Sequence, residues 1–155
     1  MPGTFDTEST IREYIAQVIH MSLSTSKDNK PRVFELHFAY DKQLNLYFVS
    51  GVNTRHSEDI RNNPHVAGSI VTQHFLNQKV RGIYFDGTAK ELVDIDEMQQ
   101  AYKTYTARYH DSPQLARVAQ AEGNARFYKI TVNNFYVVDG LLSDAAQQYH
   151  LPWSE

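Results

Sequence analysis

The sequence contains no cysteine. That absence removes a disulfide framework, a thiolate zinc site, an iron–sulfur cluster and a cysteine nucleophile together, and it suits a reducing compartment. Long apolar runs are missing too, and none approaches the ~18 residues that a membrane span needs. The first ten residues lack the basic stretch and apolar centre of a secretory signal, so a soluble, cytoplasmic protein is expected. Positive charge is not in excess: 15 Lys and Arg stand against 18 Asp and Glu, a formal net charge of −3. A nucleic-acid surface normally shows as a basic stripe, and none is present. Any anionic ligand must therefore be met by a local group of donors. Repeats, low-complexity tracts and Pro/Gly/Ser-rich linkers are also lacking, and residues 1–155 read as a single domain.

What is present is a supply of apolar side chains, 41% of the chain. At this length that suffices to bury roughly 68–70% of the unfolded surface. Ile11, Tyr14, Ile15, Val18 and Ile19 fall on one helical face, and Thr10 with Glu13 has the form of a capping box, predicting a helix over residues 6–19. Met21, Leu23 and Thr25 then alternate with polar residues up to the turn Asp28-Asn29-Lys30-Pro31. In the next strand Phe34, Leu36, Phe38 and Tyr40 share one face, and Val33, Glu35, His37 and Ala39 the other. After Asp41-Lys42-Gln43 the chain re-enters a strand at Leu44, Leu46 and Phe48 that ends in Ser50-Gly51. Thr54 stands as an N-cap, residues 55–62 permit a helix, and Asn63-Pro64 stops it. Residues 66–73 and 79–93 read as strands, with Gly82 and Gly87 marking bulges or close backbone approaches. Met98, Ala101, Tyr102, Tyr105 and Tyr109 form a helical packing stripe. Ser112-Pro113 opens a further helix ended by Gly123. Residues 127–138 close the chain with β pairing around Asn133-Asn134. The sum is a mainly β protein with peripheral helices, an antiparallel barrel of six to seven strands.

The most informative stretch is Ser50-Gly51-Val52-Asn53-Thr54-Arg55-His56, between a strand end and a helix start. A helix N-terminus offers free N–H groups and partial positive charge, Thr54 adds a hydroxyl, and Arg55 adds a planar fork suited to phosphate oxygens. The same residues also fit an ordinary N-cap with Arg55 and His56 in solvent. The element is not a P-loop, because no Gly-Lys-Ser/Thr follows the glycine. Arg32, with Glu35 and His37, forms either a ligand-facing polar wall or a half-solvated strand. Lys79-Val80-Arg81-Gly82 reads either as a backbone surface for a flat ligand or as a bulge. The seven histidines, His20, His37, His56, His65, His74, His110 and His150, show neither an H-x-x-x-H nor an H-E-x-x-H spacing, which leaves only a metal site assembled from distant positions as an alternative to none. No G-x-S-x-G elbow supports a serine hydrolase. Trp153 is either a loose end or an aromatic lid on a neighbouring subunit.

In this order, the motifs resemble the pyridoxamine 5′-phosphate oxidase-like family of FMN-binding split barrels, with the likeness best over residues 21–93. The Arg-led strand is Arg32-Val33-Phe34-Glu35-Leu36-His37, and the second strand is Leu46-Tyr47-Phe48-Val49-Ser50. The phosphate element is Thr54-Arg55-His56, followed by a helix and Asn63-Pro64. Asn53-Thr54-Arg55-His56 and the run from Arg81 to Gly87 are most similar to the YhbP-like branch, with general stress protein 26-type members as neighbours. The resemblance implies a homodimer with two FMN sites at the subunit interface. Arg55 and His56 would hold the phosphate, helped by Thr54 and Ser50. Arg32 would lie by the phosphate and ribityl chain, and Val33, Phe34 and Val49 would line the isoalloxazine.

Three departures qualify the likeness. His56 replaces a lysine, which would make phosphate affinity depend on pH. Gly82 replaces a flavin-touching glutamine. The tail Tyr149-His150-Leu151-Pro152-Trp153 has no Arg-Leu-His substrate segment, so vitamin B6 oxidation is not expected. The reading is an FMN-dependent oxidoreductase acting on a small molecule, with no catalytic acid or base identified. Its alternative is a non-catalytic, stress-associated module that binds flavin or haem. Deazaflavin, or no cofactor at all, are further variants, and His37 or His74 would be the haem ligands to test.

Overall fold

The computed structural model describes residues 6–141 and 147–152, with side chains except at 141 and 147–149. Helix α1 (Thr7–Ala16) precedes the hairpin of β1 (His20–Lys27) and β2 (Lys30–His37). Short β3 (Ala39–Tyr40), β4 (Leu46–Gly51) and helix α2 (Arg55–Asn62) follow. Strands β5 (His65–Val71) and β6 (Lys79–Glu91) lead to helices α3 (Ile95–Tyr109) and α4 (Pro113–Ala119). Long β7 (Ala125–Leu141) and β8 (Gln147–Pro152) complete the order.

All pairings are antiparallel, in the order β2-β1-β5-β6-β7-β4-β3 with β8 added on β7. The sheet curls into a split barrel. Its interior is apolar because alternate residues of each strand point inward, among them Met21, Leu23, Phe48, Ile70, Ile83, Phe85, Ile130 and Phe135. Ile11, Tyr14 and Ile15 of α1 and Ile60 of α2 join this core. A second apolar cluster fills the space between the outer side of β4 and β7 and helices α3 and α4, built from Tyr47, Met98, Ala101, Tyr105, Val118 and Phe127. Among the described residues no helix is long and apolar enough to cross a membrane.

Several local expectations are corrected. The N-cap of α1 is Asp6, not Thr10: the Asp6 carboxylate accepts from Ser9 N and Ser9 Oγ, each at 3.0 Å. Thr10 is already inside the first turn, donating its hydroxyl to Asp6 O at 2.8 Å. The helix ends at Ala16, and Ile19 lies outside it, 47% exposed. The Arg108 guanidinium of α3 reaches back to this end, donating to Val18 O at 2.5 Å and Ile15 O at 3.3 Å, while it lies over the rings of Phe38 and Tyr40. Helix α4 stops at Ala119, four residues before Gly123. The additional strand is β8, whose Gln147–Pro152 offers too few apolar positions to reveal itself by alternation. Gly87 does sit at a register break in the β6–β7 ladder, and a Cβ there would meet Thr131 O at 2.1 Å. Gly82 is not a bulge: it keeps regular pairing with Val71 and Val138. Trp153 lies outside the described residues.

Candidate functional site

The turn from β4 into α2 forms as its residue types require. Thr54 is extended (φ −71°, ψ 158°) and its Oγ1 accepts from Ser57 N at 3.3 Å, so the N-cap is as expected. Thr54 Oγ1 also lies 2.7 Å from Ser57 Oγ and 3.0 Å from the Gly51 carbonyl, which in turn accepts from Ser57 Oγ at 2.8 Å. The turn is thus tied to the helix it opens. Arg55, in the first turn, is exposed and makes no hydrogen bond or ion pair among the described residues. The backbone N–H groups of Arg55 and His56 are left open as well, as first-turn groups are.

His56 points the other way. It is buried, 9% exposed, with its ring 4.5 Å from that of Phe34 and 6.4 Å from that of Phe48. Ser50 Oγ lies 2.5 Å from Nε2, and Nδ1 is buried with no partner. Burial holds the imidazole below its ordinary pKa of 6.5, with Asp59 pulling weakly upward, so the neutral ring is favoured. Asp59, one turn further along α2, is 1% exposed. Its Oδ2 accepts from Thr25 Oγ1 at 2.8 Å, and its Oδ1 stands 3.8 Å from Arg32 Nη1. Arg32 is therefore directed to the helix from the Phe34 side of β2, away from Glu35 and His37.

The opposite, outer face of the sheet carries small side chains along its middle strands. Ser22 pairs with Ser69, Ser24 with Ala67, and Gly82 with Val71 across the strands. Val33 and Tyr84 stand exposed on it, at 66% and 41%. A cavity of about 440 Å³ opens over this face, bordered by Ile19, His20, Ser22, Glu35, Ser69 and Val71. His20 and His37 face each other across β1 and β2 with ring centroids 4.2 Å apart.

The residues expected to form the site thus fall into groups. Arg32, Phe34, Ser50, Thr54 and His56 gather around the inner side of α2. Val33 and Gly82 lie on the outer face. Arg55 stands in solvent at the helix start. Val49 is on the other side of β4, half-buried against the α3–α4 cluster, and is not brought to the rest. Asp59 and Thr25, which organise the inner group, were not expected from the sequence. The signal for Asp59 was its place next to Ile60 and one turn from His56, on the one face of α2 that carries an apolar residue. Among the described residues no three His, Asp or Glu side chains gather as a metal site.

A family model described as pyridoxamine 5′-phosphate oxidase matches residues 7–139. The chain belongs to that family. A curated relative, UPF0306 protein PM1958 of Pasteurella multocida, is 26% identical over 98 residues, covering 63% of this chain and 65% of that protein. Among solved structures, general stress protein 26 of Bacillus anthracis superposes with a TM-score of 0.66 at 19% identity, covering 94% of this chain and 97% of that one. The haem storage protein HutZ of Vibrio cholerae gives a TM-score of 0.66 at 15% identity, covering 83% and 91%. At these identities the superpositions establish the fold.

Proposed function

We propose that the protein binds FMN and acts, as a homodimer, as an oxidoreductase on a small molecule. The observation that carries this reading is Arg55, unpaired and exposed on the first turn of α2 beside the Thr54 cap. A flavin phosphate carries a charge of about −1.5 to −2, and a helix N-terminus with a free guanidinium suits it. Open N–H groups of Arg55 and His56 complete the cradle. The flavin, when bound, supplies the hydride and electron chemistry; the chain supplies orientation and charge. Arg32 and Asp59 fix the position of α2, and neutral His56 holds Ser50 rather than adding charge. Val33, exposed on the outer face among small side chains, offers a surface fit for a ring system. The small side chains of that face, with Val33 and Val71 exposed, favour close approach of a second copy.

An absorbance spectrum of the purified protein and a fluorescence titration with FMN test the first step. Flavin bands, or saturable quenching of FMN, support the reading; the absence of both overturns it. Reduction of the bound flavin by NADH or NADPH separates an enzyme from a flavin-holding module. Sedimentation velocity tests the dimer, and Val33→Glu should shift it toward monomer. A second reading, haem binding, is favoured by the facing His20 and His37 rings. A Soret band lost in His37→Ala would support it.

A further inference from the structure

Under α1, at the other end of the barrel, lies a cavity that flavin binding does not use. It measures about 490 Å³ and is lined by Gln17, by the loop after β5 and by Lys79 and Arg81 of β6. Every described residue lining it is polar, two are cationic, and none is acidic. In a chain of net charge −3, that composition is a local exception.

The hydrogen bonds at its wall leave the Gln78 amide donors unused and His74 with one free acceptor nitrogen. Gln78 Oε1 accepts from Phe75 N at 3.0 Å, which leaves the carboxamide N–H groups unused. His74 Nδ1 sits 3.1 Å from the Thr72 carbonyl, which only accepts, so Nδ1 carries the hydrogen and Nε2 is the free atom. Thr72 N and Thr72 Oγ1 each donate to Arg81 O at 2.9 Å, pinning the loop to β6. Arg81 itself makes no side-chain hydrogen bond or ion pair among the described residues, although Asp139 is its register neighbour on β7. Of the Asp139 carboxylate, Oδ2 accepts from Tyr14 OH at 2.8 Å, while Oδ1 is 3.9 Å from Lys79 Nζ and has no hydrogen-bond partner. The exposed Arg81 guanidinium therefore borders the cavity with its N–H groups open to solvent, beyond ion-pair distance of Asp139.

We propose that this cavity is a second binding site, for a small oxyanion such as a carboxylate or phosphate, with Arg81 as its main ligand and Lys79 and the Gln78 amide beside it. Gln17 and Gln73 border both this cavity and the one over the outer sheet face. The site stands without the flavin.

Its test is an amide-detected NMR titration of the isotope-labelled chain, with sodium phosphate in one arm and sodium acetate in the other, at ionic strength fixed by NaCl. Saturable shifts confined to residues 72–82 are expected in one or both arms, and the responding arm identifies the anion class. R81Q should weaken that binding about tenfold or more, whereas R55A should leave it unchanged. K79Q should give a smaller loss, about threefold, and serves in place of R81Q if that variant fails to fold. Non-saturating shifts, an affinity unaltered in both R81Q and K79Q, or a loss in R55A would overturn the proposal. Because no FMN is present, failure of flavin binding leaves this result standing.

Discussion

The two ends of strand β1 use the same kinds of side chain in opposite ways. At the α2 end, Asp59, Thr25, Arg32, His56 and Ser50 are turned inward: Asp59 accepts from Thr25 and faces Arg32, and Ser50 meets His56 Nε2, while His56 Nδ1 has no partner. At the α1 end, Arg81, Lys79, His74 and Gln78 stand around open space, with their donors only partly used. Burial makes the difference. A buried carboxylate without a cation or hydroxyl beside it is prohibitively costly, so polar groups at the α2 end are held to one arrangement. An exposed guanidinium is satisfied by water and is free to exchange that water for a ligand. The α2 end is therefore expected to answer to stability measurements, and the α1 end to binding measurements.

The largest effect that tests this division is Asp59→Ala. It strips Thr25 of its acceptor and Arg32 of its ion-pair partner and should cost about 3 kcal/mol in urea unfolding. Arg81→Gln, at the open end, should change stability by no more than about 0.5 kcal/mol. Comparable losses for the two would erase the distinction. Next is Arg55→Ala, which should weaken FMN binding about 10- to 100-fold while leaving riboflavin, which has no phosphate, unaffected. Equal losses in the two fluorescence titrations would place Arg55 away from the phosphate.

Smaller effects sharpen the boundary. Tyr14 is buried, and burial together with its bond to Asp139 pushes its phenol up to about 12, although the Arg81 charge opposes this. Tyr14→Phe should cost about 1 kcal/mol in thermal or urea unfolding, because Asp139 loses a donor. The smallest effect is one of pH. The folded chain holds His56 below its ordinary value of 6.5, so the unfolded chain takes up that proton more readily. This contribution to stability is complete above about pH 6.5 and declines as pH falls below it. Urea midpoints from pH 8 to pH 5 should fall less steeply in His56→Gln than in the parent chain. Parallel profiles would mean that His56 is not the group responsible.

The fold was legible where a residue type admits one local solution. Thr54, Ser112-Pro113 and Asn63-Pro64 were read correctly because caps and stops depend on backbone groups a few positions away. Asp28 and Asn29 mark the β1–β2 turn, and both adopt positive φ, 52° and 60°, as a two-residue hairpin demands. An antiparallel barrel followed from the order of such elements, and its split form from the family resemblance. What stayed hidden depends on contacts distant in sequence. His56 looks like a surface residue of a polar helix until Phe34 and Phe48 close around it. Helix α2 has one buried apolar residue, Ile60, and a single residue does not define a face by periodicity. The use of Asp59 likewise depends on Thr25 and Arg32, which are neighbours only after β1 and β2 pair. Strand β8 becomes a strand by pairing with the second half of β7, after β4 has taken the first half.

The reach of Arg108 across to α1 also bears on the order in which a growing chain acquires its structure. The carbonyls at the end of α1 wait for a side chain that is translated 90 residues after Val18 and 93 after Ile15. During synthesis from the N-terminus, this helix would leave the ribosome with its C-terminal end still hydrated. It would be completed only when α3 emerges. Completion of this helix end is thereby tied to the emergence of α3, and nascent chains arrested before Arg108 should leave α1 open to proteolysis.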